Sequence, residues 1–152
     1  MTEANSELCC RSDWLVATEF LSDDAAHILN LISERVVEVA QAGKTPVVVF
    51  DLDSTLYEVQ PRTYQIIQEY LASDVSASLS KALYKALKTL SVGDLEYSIR
   101  DAFSNIGIDP TAAEAQEALR KLGDFWWQRF FQNEYIQYDV AYPGTQAYVS
   151  GL

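Results

Sequence analysis

Two aspartates one residue apart, Asp51 and Asp53, stand at the end of the uncharged run VVVF, and Ser54 and Thr55 follow at once in DLDST. Carboxylates so spaced can divide bond making from proton transfer. If the backbone stays extended through them, both project to one side while Leu52 points to the other. Asp51, ionised at neutral pH as aspartates ordinarily are, is a candidate nucleophile toward phosphorus, giving an aspartyl-phosphate intermediate. Asp53 is the candidate proton carrier, because two close carboxylates do not both ionise cheaply, and the one that keeps its proton can protonate a leaving oxygen and then activate water. Two carboxylates and a phosphate crowded together need a counter-charge, and a hard, oxygen-seeking ion such as Mg²⁺ supplies it. Ser54 and Thr55 offer small side chains and backbone donors for phosphate oxygens. Arg62, a little further on, is a candidate contact for substrate, with a solvent-exposed ion pair as the ordinary alternative.

Other readings of the same residues compete. A calcium loop beginning at Asp51 would place Leu56 where the sharp turn needs glycine and Arg62 where a bidentate glutamate is required, so that option fails. Asp and Ser are also common turn formers, and the pair could simply end a strand and open a turn.

The stretch VVVFDLDSTL resembles the first signature of the haloacid dehalogenase superfamily, an apolar strand ending in Asp, any residue, Asp, any residue, Thr. The resemblance implies an α/β fold, a Rossmann-like core with an inserted all-helical cap, incomplete in this chain and therefore mostly helical as it stands. It implies Asp51 as nucleophile and Mg²⁺ ligand, Asp53 as general acid/base and ligand through its main-chain carbonyl, and Thr55 as a support for the loop. The implied organisation is a leader over 1–21, the first part of the core over 22–61 with Leu56 to Pro61 as a flap, a helical cap over 62–138, and a return to the core over 139–152. The implied activity is a Mg²⁺-dependent phosphohydrolase acting on a small phosphorylated substrate. Members continue with a strand ending in Thr or Ser, then a Lys, then an acidic pair, and none of these follows here before Leu152. The expectation is therefore a first part of a longer or split polypeptide, weak or inactive alone, with the missing C-terminal part or a second chain as partner.

These groups must be positioned by the surrounding elements. VVVF, three β-branched residues and an aromatic without polar alternation, reads as a strand buried on both faces, with Pro46 at its start. Such a strand needs neighbours to pair its backbone. Upstream, Ser22, Asp23 and Asp24 open a helix whose apolar positions run from Ile28 through Val39 to a stop at Gly43. Downstream the pattern is helical: Tyr64 to Leu71, Leu79 to Leu90, Asp94 to Gly107 with Ile99, Phe103 and Ile106 inward, and a helix after Asp109 and Pro110 with a Thr111–Glu114 capping box, ended by Gly123. FWWQRFF, Phe125 to Phe131, suits core packing better than a ligand pocket. Lys81, Lys85 and Lys88 read as a solvated face, and His27 as a surface side chain.

Composition narrows the function classes. With 22 acidic residues against 11 basic and a net charge of −11, nucleic acid and anionic membranes are repelled. Adjacent Cys9 and Cys10 cannot form a spaced disulfide framework, and no stretch approaches the ~20 apolar residues of a membrane span. The reading is a cytoplasmic protein. A non-catalytic acidic helical module that binds a protein partner is the function of a different class consistent with the same chain.

Overall fold

The computed structural model describes residues 25–152, so Cys9, Cys10 and the Ser22–Asp24 helix opening lie outside the described residues. The described chain is mostly helical. It divides into two units, one running up to Val49 and including Tyr148–Leu152, the other Phe50–Ala147.

In the first unit, α1 (Ala25–Gln41) carries the expected apolar periodicity and stops where the sequence says it should. Gly43 adopts φ +72°, its amide donates to the Ala40 carbonyl at 2.9 Å, and the Lys44 amide donates to Val39 at 3.2 Å. This is a left-handed glycine stop that satisfies carbonyls the helix would otherwise orphan. Tyr148 Oη donates to the Leu29 carbonyl at 2.8 Å. His27 is exposed.

The expected buried strand is not formed. Residues 44–50 carry no regular secondary structure, and Val47 and Val49 are 80% and 88% exposed. A β-strand exists through its ladder, and among the described residues no strand pairs with this run, so high β-propensity alone leaves it irregular. Among the described residues the sheet structure is a two-stranded antiparallel sheet elsewhere, and a Rossmann-like core is not formed.

The second unit opens with that sheet. β1 (Tyr57–Glu58) pairs antiparallel with β2 (Val140–Ala141), Tyr57 opposite Ala141 and Glu58 opposite Val140. Between them run α2 (Gln60–Ala72), a 3₁₀ turn over Asp74–Ser78, α3 (Lys81–Leu87), a 3₁₀ turn over Val92–Asp94, α4 (Ile99–Asn105), α5 (Ala113–Phe130) and the short α6 (Asn133–Ile136). After β2 the chain enters α7 (Thr145–Gly151). Helix α2 starts with Pro at its first turn, where a missing N–H costs nothing. It presents Arg62, Ile66 and Tyr70, spaced by four, to the interior, and packs along α5. The core gathers Ile66, Ile67, Tyr70, Leu87, Phe103 and Leu122, all fully buried.

Expected boundaries move: the Tyr64–Leu71 helix already begins at Gln60, the Leu79–Leu90 helix is Lys81–Leu87 alone, and three further differences have a visible local cause. The Asp94–Gly107 helix begins only at Ile99, because Ser98 takes the cap: its Oγ accepts from the Asp101 amide at 3.1 Å while the Asp101 carboxylate accepts from the Ser98 amide. The Thr111–Glu114 box does not form. Asp109 instead accepts from the Thr111 amide and hydroxyl, making an Asx turn that leads into α5. Gly123 does not end its helix either. α5 runs straight through it, held by Leu122 and Phe125 buried on either side. In the aromatic cluster Phe125 and Phe130 are core, whereas Trp127 and Phe131 are exposed. Lys81, Lys85 and Lys88 are exposed as expected.

Candidate active site

The chain turns sharply at the two aspartates rather than continuing extended. The Leu52 carbonyl accepts from the amides of Thr55, Leu56 and Tyr57 at 3.0 to 3.3 Å, and the Ser54 amide donates to the Tyr57 carbonyl at 2.8 Å. Ser54 makes this possible by taking φ +59°, a left-handed conformation that non-glycine residues rarely adopt. The loop is fastened to the returning chain, since the Leu56 carbonyl accepts from the Tyr142 amide at 3.0 Å and the Thr145 hydroxyl at 3.3 Å.

Each aspartate has its own restraint. Asp51 is exposed; its Oδ1 accepts from the Leu52 amide at 2.9 Å and its Oδ2 from the Thr55 hydroxyl at 3.4 Å. Asp53 is 43% exposed at its side chain and receives Arg62 Nη2 on Oδ1 at 3.3 Å.

Arg62 is neither on the surface nor open toward solvent. Its side chain is 6% exposed and its guanidinium is gripped from several directions. Nε donates to Asp139 Oδ1 at 2.7 Å and Nη2 donates to Asp139 Oδ2, a two-pronged pair. Nη1 donates to the Phe130 carbonyl at 3.1 Å, and the guanidinium carbon lies 4.2 Å from the centre of the Phe130 ring. The Asp139 hydrogen bond, against the opposing pull of burial, raises the Arg62 pKa above its already high ordinary value, so the group is a permanent cation. The ion pair considered for Arg62 is present, but buried. Asp139 is the residue sequence reasoning missed, and nothing near it in the chain signals its role.

The donor chemistry suits a hard divalent ion. Mg²⁺ is ordinarily held through one or two carboxylates, with water and phosphate oxygens completing the shell, and Asp51 and Asp53 carry carboxylate oxygens open to solvent that could take that part. Among the described residues no group of three or more His, Cys, Asp or Glu side chains converges to form a fuller metal cage.

In the first unit, α1 and the extended run form a groove of about 580 Å³ lined chiefly by apolar side chains, including Ile28, Ile32, Val36, Val47 and Val49. No helix among the described residues is long and apolar enough to cross a membrane. No protein-family model, curated protein or solved structure matches this chain.

Proposed function

We propose that the loop from Asp51 to Tyr57 is the reacting centre of a Mg²⁺-dependent phosphohydrolase of the haloacid dehalogenase type. The observation that carries this reading is the pair of solvent-reachable carboxylates in one tight turn, Asp51 oriented through both oxygens by Leu52 and Thr55 and Asp53 through one oxygen by Arg62. Asp51 attacks phosphorus of a small phosphate monoester, the P–O bond to the alcohol breaks, and the leaving oxygen takes a proton from Asp53. Asp53 then accepts a proton from water as that water attacks the aspartyl-phosphate, releasing phosphate and restoring both carboxyl groups. The Asp51 carboxylate and the Asp53 main-chain carbonyl would hold Mg²⁺, which would supply the positive charge that two acids and a phosphate require. The exposed Ser54 hydroxyl is the donor offered to phosphate oxygens, because the Ser54 and Thr55 amides are taken up within the turn, while Arg62, engaged with Asp139, acts on Asp53 rather than on substrate.

The test is turnover of para-nitrophenyl phosphate with and without MgCl₂, in wild type and Asp51→Asn. Mg²⁺-dependent turnover abolished by Asp51→Asn supports the reading, and turnover that survives the substitution eliminates it.

A second reading is favoured by the exposed run Val47–Val49 and the apolar groove beside α1: a non-catalytic module, or half of a split fold, whose partner chain lays a strand along this run. A partner chain that binds this protein and brings neither turnover of the ester nor heat on titration with MgCl₂ points to this alternative, whereas a partner that restores both returns the hydrolase reading.

A further inference from the structure

Arg62 carries more contacts than a buried cation needs. Taking a guanidinium out of water demands one well-placed counter-charge and partners for its N–H groups. Asp139, equally buried and bound through both oxygens, supplies the charge, and the Phe130 carbonyl takes a further donor. Arg62 is on the inward face of α2 because Ile66 and Tyr70 follow it at intervals of four, so its burial is dictated by the helix and its neutralisation is complete without the Asp51–Tyr57 loop. Nevertheless Nη2 also reaches the half-exposed Asp53 carboxylate. The planar fork makes this possible: donors pointing in several fixed directions meet Asp139, Phe130 and Asp53 together, which the compact ammonium of a lysine cannot do.

We infer that Arg62 is a positioning residue, anchored by Asp139 and the end of α5, whose remaining donor holds the Asp53 carboxylate in place and so stiffens the loop from Asp51 to Tyr57. The purpose of that stiffening rests on the phosphohydrolase reading, in which Asp53 must present its other oxygen to the proton in transit. The link ties four stretches far apart in sequence, the loop, the start of α2, the end of α5 and the approach to β2, at one guanidinium.

Amide hydrogen exchange by NMR on the full chain tests it. The Ser54 and Tyr57 amides, both hydrogen-bonded within the loop, report the loop. Leu122, fully buried in α5, reports general opening. In Asp53→Ala, which removes a half-exposed acceptor and leaves the Arg62–Asp139 pair intact, the loop amides should exchange about tenfold faster while Leu122 is unchanged. Arg62→Lys should accelerate the loop at least as much relative to Leu122. Loop amides within about twofold of wild type in Asp53→Ala, acceleration shared equally by Leu122, or a loop already unprotected in wild type would each overturn the inference. Turnover does not enter this readout, so failure of the hydrolase reading through Asp51→Asn and failure of the positioning role are separate results.

Discussion

Arg62 Nε donates to Asp139 Oδ1 at 2.7 Å across 77 positions of sequence, and both side chains are 6% exposed. Pairs of this kind contribute little net stability when intact but cost a great deal when half of one is removed, because the surviving charge is left in an apolar setting.

Asp139→Ala should therefore lower unfolding free energy by about 3 kcal/mol, with Asp53 too exposed to take over as counter-ion. Urea titration followed by circular dichroism measures it. A loss under about 1 kcal/mol would mean that Arg62 swings out to solvent instead.

Gly123 lies inside α5 with nothing within 4 Å of where a Cβ would stand. Gly123→Ala should stabilise the protein by about 0.5–1 kcal/mol, by reducing the entropy lost on forming the helix. The same urea titration, read as a higher midpoint at unchanged slope, checks it.

Ser54 holds its left-handed conformation without glycine's freedom. Ser54→Val adds a branch at Cβ to that conformation and should cost about 1–2 kcal/mol, whereas Ser54→Gly should hold or raise stability. Equal effects of the two substitutions in thermal melts would show that the loop can relax to another backbone geometry.

Glu117 has its pKa lowered from the ordinary 4.5 to about 2, chiefly by hydrogen bonding to the Arg120 guanidinium at 2.9 and 3.1 Å. A carboxylate whose folded pKa is depressed adds stability above its unfolded value and loses it as the folded value is approached from above. That contribution is thus whole above pH 4.5 and disappears as pH falls through about 2. Urea midpoints measured over this window should fall less steeply in Arg120→Gln than in wild type, with the two curves converging at the acid end.

What could be read in the sequence was whatever short-range chemistry decides. The Gly43 stop of α1 and the apolar spacing of Ile66, Ile67 and Tyr70 are legible because a few neighbouring residues settle them. The Ser98–Asp101 box was also there to be found, three residues apart, and a search for caps inside the expected helix would have placed its start correctly. Gly123 misled because packing around Leu122 and Phe125 outweighs a weak local preference. VVVF misled for the opposite reason: its preference is strong, but a strand is a property of two segments, and one sequence window holds only half of it. The Asp51 and Asp53 pair was legible as chemistry, while the Arg62 and Asp139 link depends on how distant helices pack and leaves no local trace.

The bare valines at 47 and 49 also set how the purified protein behaves in the tube. An apolar extended stretch with open backbone groups is a template on which identical molecules stack edge to edge. What keeps molecules apart is mutual repulsion from a charge of −11, and at physiological ionic strength such repulsion reaches only about 8 Å. Concentrated salt, or acid enough to neutralise its carboxylates, should accordingly promote association of identical molecules through this stretch.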